Sequence, residues 1–399
     1  MQNNYFIRQE TTRNPLFNNK KAILGTLIIE LTERCNNNCI HCYINLSKND
    51  TAARKKELST GRIKEILKEA VSLGCLIVQF TGGEPLLRED FAELYVFSRR
   101  LGLRVILFTN ATLITPGLAE LFRRIPPLEP IEVTLYGMRK ESYEKIARAP
   151  GSHKLAYQAI NLLFKKRVPF VVKSPLLPQN KSEIRQFESW AEAIPWMEEV
   201  PLYSMFFDLR GRRDNDNKNR LIKSLRVTPE EGLKIVTRRA EKYLRIRREF
   251  CSKFLSVPDD KLFSCAAGCA SGCVDAYGYF QPCLMLRHPA TVYNLKKGSL
   301  KDALLNFFPK IREQKASNPE YLARCARCWL RGLCEQCPGK SWMEHGTLDT
   351  PVDYLCKVAH VEARYLGLIG DKEVAWQVRN WKERLENFCS ERNWKMGNY

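Results

Sequence analysis

Histidine is scarce in this chain, five in 399 residues, and acidic groups are outnumbered by basic ones, 44 against 64. No stretch of about 18 apolar residues occurs, which excludes a membrane-spanning helix. The N-terminus, Met1-Gln2-Asn3-Asn4-Tyr5, lacks the charged-then-apolar pattern of a secretory signal, so a cytoplasmic location is expected. There is no compact basic arm, helix-turn-helix or zinc-finger signature, which argues against a DNA reader. What the chain does have is cysteine, fifteen of them. In a reducing compartment they point to metal ligation rather than disulfides. The net charge of +20 attracts acidic partners, such as an acidic electron donor or an acidic peptide.

Between Leu27 and Phe207 short apolar runs alternate with helix-period segments. Leu27–Leu31, Cys75–Phe80, Arg104–Phe108, Ile131–Leu135, Phe170–Lys173 and Leu202–Phe207 read as strands. Ser59–Leu73, Asp90–Arg100, Pro116–Arg124, Lys154–Lys166 and Ser182–Ala193 read as helices. Ser59 is an N-cap candidate and Gly74 can close the same helix. Such alternation predicts an α/β fold, a partial (β/α)6 barrel of parallel strands, with ligands at the strands' C-terminal ends. Arg210–Lys223 reads as a polar loop. A helix over Pro229–Arg248 follows, capped by Thr228. A cysteine-rich module, 265–360, and a helical tail, 361–399, complete the division into 1–26, 27–210 and 211–264. In the tail, Trp376, Trp381, Leu385 and Phe388 form a stripe that predicts docking on the body.

Two motifs sit at successive strand ends. Cys35, Cys39 and Cys42 follow the first strand. Three thiolates suit an iron–sulfur cube with one iron lacking a protein ligand. A structural zinc ion needs four ligands, and His41, directly beside Cys42, is awkwardly placed to be the fourth. Thr81-Gly82-Gly83-Glu84-Pro85 follows the next strand. Alone it is an ordinary turn, but after a three-cysteine loop its glycines and the Glu84 carboxylate suit a bound ammonium group.

Together these residues resemble the radical S-adenosylmethionine (SAM) superfamily, across about Leu27–Phe207. The resemblance implies that Cys35, Cys39 and Cys42 hold a [4Fe–4S] cluster whose open iron binds SAM. Reductive cleavage then yields a 5′-deoxyadenosyl radical that abstracts hydrogen from a substrate. Gly82, Gly83 and Glu84 would hold the methionyl amine, His41 would pack near adenine, and Thr134 and Asn180 would reach the ribose region. Ordinary strand and loop polarity is the alternative for those last two. Tyr136 and Lys173 can face the cavity, without an assigned role.

The later cysteines, Cys265, Cys269, Cys273 and Cys283, then Cys325, Cys328, Cys334, Cys337 and Cys356, contain closely spaced pairs typical of metal sites. A zinc ribbon is one reading. The stretch resembles the SPASM domain, which implies two auxiliary [4Fe–4S] clusters. One would use Cys325, Cys328, Cys334 and Cys356, the other Cys265, Cys283, Cys337 and one of Cys269 or Cys273. Cys337 lies three residues after Cys334, where the family more often has four.

SPASM enzymes mostly act on peptides or proteins, so the resemblance implies an oxidative maturase. Tetrapyrrole side-chain modification and sulfatase maturation are alternatives. Leu284 stands where sulfatase maturases carry an Asp, which counts against the latter. Only about 26 residues precede the first strand, too few for a leader-binding domain, so a peptide substrate calls for a separate recognition protein or direct docking. A flavodoxin or ferredoxin would supply electrons. The non-enzyme alternative is a zinc or iron–sulfur module that holds RNA.

Overall fold

The computed structural model describes residues 23–44, 46–197, 203–204, 215–255 and 257–390. The chain divides into two compact units. Among described residues one holds those up to 226 together with 265–312, and the other holds 227–264 and 313 onward. The cysteine-rich stretch is therefore shared between the units, with Cys265, Cys269, Cys273 and Cys283 in the first and Cys325 to Cys356 in the second.

The first unit is built on one sheet. Its strands are β1 (Thr26–Thr32), β2 (Ile77–Gly82), β3 (Arg104–Thr109), β4 (Ile131–Thr134), β5 (Phe170–Pro175) and β6 (Tyr203–Ser204), all parallel and in sequence order. This is the anticipated six-stranded α/β frame. Of the expected Leu202–Phe207 strand only Tyr203–Ser204 falls among the described residues. The sheet then extends on the other side of β1. Strand β7 (Ser271–Val274) pairs parallel to β1, and β8 (Tyr279–Gln281) and β9 (Tyr293–Asn294) follow antiparallel. Gly278 makes the β7–β8 turn with φ +91°, a left-handed conformation that favours glycine.

Helices α1 (Thr60–Ser72), α2 (Phe91–Arg100), α3 (Pro116–Arg124), α4 (Ser152–Lys165) and α5 (Ile184–Glu192) fall between the strands. Ser59 caps α1 by accepting from the Arg62 N–H, and Thr115 caps α3 by accepting from that of Leu118. Buried Ile63, Ile66, Leu67 and Ala70 form the single apolar face of α1. One departure lies at the end of this unit. The segment read as a loop forms helix α6 (Asp216–Ser224), with Asn215 accepting from the Lys218 N–H. The charge pattern hid a helix whose buried residues are only Asn219 and Ile222.

In the second unit the helix expected over Pro229–Arg248 is broken. It forms α7 (Pro229–Val236), a 3₁₀ turn at Thr237–Arg239, and α8 (Ala240–Phe254). Thr228 caps α7 as predicted. Helices α9 (Pro338–His345), α10 (Asp353–Tyr365) and α11 (Trp381–Ser390) complete it. Its core joins Leu244, Cys251, Trp329, Leu330, Ala359 and Phe388, with Trp376, Trp381 and Leu385 packed against it. Trp381 stacks on Trp329 with ring centroids 5.8 Å apart. The tail stripe therefore docks on its own unit.

Among the described residues no helix is long and apolar enough to cross a membrane.

Candidate active site

The loop after β1 is held before it reaches the first cysteine. Arg34 is buried and forms a forked ion pair with Glu57, Nε to Oε1 at 2.8 Å and Nη2 to Oε2 at 3.1 Å. Thr32 donates its hydroxyl to the same carboxylate at 2.5 Å. Replacing Glu57 with Ala strands the Arg34 charge. A loss of about 3–5 kcal/mol in unfolding free energy is expected from removing one member of a buried pair, measured by denaturant titration.

Beyond Arg34 the loop is pinned to the helix over Lys140–Ala147. The Asn38 N–H donates to the Ala147 carbonyl at 2.9 Å and the Ile40 N–H to that of Ile146 at 3.0 Å. Cys35, Cys39 and Cys42 are brought together, and after burial their neighbours' charges further weaken Cys35 and Cys39 as acids. Burial pushes the Cys39 thiol up to about 12 and Cys35 higher still. Three such thiols ionise together only when a cation or cluster compensates them. The Asn37 N–H donates to the Cys35 sulfur at 3.4 Å, and Asn110 Nδ2 to the same sulfur at 3.7 Å. The Tyr136 hydroxyl reaches the Cys39 sulfur.

The residues fit a cluster by a further sign. Both side-chain polar atoms of Asn37, in a residue 4% exposed, have no protein partner. Buried polar groups without partners in a native fold mark a missing ligand. Among the described residues no three His, Cys, Asp or Glu side chains close on a single point.

The glycine motif sits against this loop, and its glycines serve the protein's own backbone. A Cβ on Gly83 would fall 2.2 Å from the Arg34 carbonyl oxygen, and one on Gly82 (φ +120°) 2.2 Å from that of Thr32. The close approach lets the Gly83 N–H donate to Thr32 at 2.7 Å and the Glu84 N–H to Arg34 at 2.9 Å. Glu84 is fully buried. Its carboxylate accepts from the Leu86 N–H at 3.0 Å, the Thr109 hydroxyl at 2.9 Å and the Asn110 N–H at 2.9 Å. Burial still weakens it as an acid, pushing its pKa up to about 7. Glu84 thus ties the ends of β2 and β3 together beside Cys35. Replacing Gly83 with Ala drives the Arg34 carbonyl away. We expect the variant to lose the iron bound by the three cysteines, as read by metal analysis after anaerobic reconstitution.

His41 is half-buried, its ring 5.7 Å from that of Tyr136. Burial lowers its basicity to about 4, so it is neutral near pH 7. Thr134 ends β4, in register with Lys173 on β5. Asn180 is elsewhere engaged. Its amide donates to the carbonyls of Tyr136 (3.0 Å) and Pro175 (2.8 Å) and accepts from the Leu177 N–H (2.9 Å). This is a loop clamp, consistent with the alternative of plain loop polarity.

Sequence reasoning left Lys173 without a role and missed Arg287. Lys173 Nζ lies 2.8 Å from Glu132 Oε2 and 3.2 Å from the centre of the Phe108 ring. Arg287, from the loop after Cys283, donates to Glu30 on β1 at 2.9 Å and to the Tyr43 hydroxyl at 2.7 Å. Asn110 was findable, because it follows β3 at the C-terminal end where such sites lie.

In the same unit Cys265 adjoins Cys269, whose ionisation is resisted by burial and by Cys265. Cys273 is fully buried within β7, opposite Ile28 of β1 and Gln281 of β8.

The second unit has its own cysteine site. Cys325, Cys328, Cys334 and Cys356 line one recess, with Arg324, Arg331, Gln336, His360 and Trp376. Burial weakens all four as acids. Three buried donors here meet no protein acceptor: Arg324 Nε, Trp329 Nε1 and the Tyr321 hydroxyl. Arg324 and Trp329 each adjoin a cysteine in sequence, and Tyr321 feels the charges of Cys325 and Cys334. Four thiols and orphaned donors fit a sulfide-bearing cluster.

A family profile described as the Radical SAM superfamily matches residues 29–191, the stretch holding the triad and the glycine motif. The chain carries a radical SAM domain over those residues. Its cysteine-rich C-terminal part fits the SPASM type. This radical SAM protein is an enzyme whose cofactors are a [4Fe–4S] cluster and SAM. An AdoMet-dependent heme synthase of Methanosarcina barkeri is 27% identical over 334 residues, covering 79% of this chain and 92% of the relative. A PqqA peptide cyclase of Gluconobacter oxydans is 29% identical over 169 residues, 42% of this chain and 46% of that one. Among solved structures, Streptococcus suis SuiB bound to S-adenosylmethionine superposes with a TM-score of 0.60 at 15% identity, over 87% of this chain and 78% of that one. Native anSMEcpe with bound AdoMet gives 0.61 at 14%, over 91% and 98%. These two likenesses establish the shared fold.

Proposed function

We propose that this radical SAM enzyme carries out an oxidative modification, removing a hydrogen atom and then an electron from its substrate. The observation that carries this reading is the pairing of two kinds of cysteine site in one chain, a triad and a quartet. Bound at Cys35, Cys39 and Cys42, the cluster and SAM supply the 5′-deoxyadenosyl radical, and a closed cluster at Cys325, Cys328, Cys334 and Cys356 supplies an electron acceptor. The backbone of Gly82–Gly83 faces the methionyl amine in this reading, His41 and Tyr136 offer rings to adenine, and Thr134 stands by the ribose. Glu84 acts as the brace that keeps those backbones in place. For the other auxiliary cluster, the neighbouring Cys265 and Cys269 support Cys269 over the sheet-bound Cys273.

A carboxylate-bearing tetrapyrrole is the substrate we favour. The M. barkeri relative, named as a heme synthase, aligns over a span longer than the barrel, and a second such synthase, of Oleidesulfovibrio alaskensis, aligns over 342 residues. A propionate side chain that gives up one hydrogen atom, then one electron and CO₂, becomes a vinyl group. Peptide maturation is the second reading. It is supported by the peptide cyclase and by a mycofactocin maturase of Mycolicibacterium smegmatis, 32% identical over 134 residues, both shorter than the barrel. An acidic flavodoxin or ferredoxin matches the charge of +20 as electron donor. Fifteen free thiols suit the cytoplasm.

Anaerobic reconstitution with dithionite and iron coproporphyrin III tests the pair of readings. Formation of 5′-deoxyadenosine together with loss of CO₂ from the porphyrin supports the tetrapyrrole. Formation of 5′-deoxyadenosine with an unchanged porphyrin turns the assay to precursor peptides. No 5′-deoxyadenosine from iron-loaded protein contradicts the proposal as a whole.

A further inference from the structure

The quartet in the second unit is surrounded by more positive charge and more donors than ligation alone requires. Arg324 and Arg331 both line its recess. Arg324 stands against Cys356 and favours that thiolate. Its Nη2 donates to Asp353 at 3.0 Å, and Nη1 pairs with Glu320. Those carboxylate side chains are 70% and 53% exposed, whereas that of Arg324 is 22% exposed. Water therefore screens the acids more than the guanidinium. The guanidinium also hydrogen-bonds Cys356, and its Nε–H is buried with no acceptor. Arg331 has a side chain only 10% exposed, tied to Asp259 at 3.2 Å.

His360 sits one helical turn after Cys356 on α10. Its Nδ1 lies 2.8 Å from the Cys356 carbonyl oxygen and 3.6 Å from the Cys356 sulfur. Its Nε2 accepts from the Ala375 N–H at 3.1 Å, which places the ring proton on Nδ1. That N–H faces Cys356. The Cys356 corner is thus flanked by a guanidinium and an imidazole N–H. Donors and cations beside a cluster sulfur favour the state with the extra electron.

We propose that Arg324 and His360 are positioning residues that raise the reduction potential of the cluster held by Cys325, Cys328, Cys334 and Cys356, fitting it to accept an electron. The proposal rests on the reading that this quartet holds a cluster, and its test separates the two.

The experiment is an EPR-monitored redox titration of the reconstituted full chain, with the quartet signal identified as the one absent from Cys328→Ala. Arg324→Gln should keep its iron and lower that potential so that reduction becomes at least about tenfold less favourable, ~59 mV for one electron. Arg324→Lys, which keeps the charge, should recover most of the shift. His360→Phe should move the potential in the same direction, while the triad signal stays in place in all three. Unchanged potentials in iron-replete Arg324→Gln and His360→Phe would overturn the proposal. Should Arg324→Gln shed iron, His360→Phe decides alone, and an unshifted potential there overturns it. If Cys328→Ala removes no signal and no iron, it is the underlying reading of the quartet that fails.

Discussion

Replacing Cys39 with Ala abolishes SAM cleavage. The fully reconstituted variant should form 5′-deoxyadenosine at least about a thousandfold more slowly than the wild type, ~4 kcal/mol in activation free energy. The size of the effect follows from geometry. Cys39 is the most buried of the three thiols and the one the Tyr136 hydroxyl reaches. Losing one thiolate leaves the cluster with two protein ligands, too few to hold it with one iron free for SAM. The same assay with Cys75→Ala is the control. Cys75 is buried near the start of β2 with its thiol donating to the Ile77 carbonyl at 3.2 Å, and its loss should leave cleavage intact. Wild-type rates in Cys39→Ala would remove the triad from the chemistry.

The second large effect separates cleavage from product. The double variant Cys325→Ala, Cys328→Ala should lose about four iron atoms per chain, yet continue to form 5′-deoxyadenosine within about threefold of the wild type. Oxidised product should fall by about a hundredfold or more, a loss confined to steps after hydrogen abstraction. The recess they line carries four thiols and the unsatisfied Nε–H of Arg324 and belongs to a unit distinct from the triad's. Product formed at the wild-type rate by this variant would assign the quartet a structural role, in which metal binding contributes folding free energy alone.

Much of the site was legible because spacing carries its chemistry. Cys35, Cys39 and Cys42 follow a strand, and so does Gly82-Gly83-Glu84, and position after a parallel strand is a placement rule in itself. The caps at Ser59 and Thr228 were equally local, since each needs only a side-chain oxygen and an N–H three residues on. What stayed hidden depended on distant partners. The glycines suggested approach to a ligand, but the carbonyls they meet are those of Thr32 and Arg34, some fifty residues earlier. Glu84 read as an ammonium partner, and its bonds from Thr109 and Asn110 were not visible in the sequence. Asn180 read as a ribose contact, and its loop absorbs its amide. Strand β7 escaped notice because Ser271-Gly272-Cys273-Val274 lies among cysteines that suggested a separate module, while its pairing with β1 is set by register. Helix α6 escaped because it is polar nearly all round.

The account stands on a cluster with one iron open to SAM at the Cys35, Cys39 and Cys42 site. Its most direct test is pulsed EPR on the reduced, reconstituted protein with SAM labelled with ¹⁵N at the methionyl amine. A hyperfine coupling from that nitrogen to the triad cluster is the predicted result. A spectrum identical with and without SAM, in protein carrying its full iron, would contradict it.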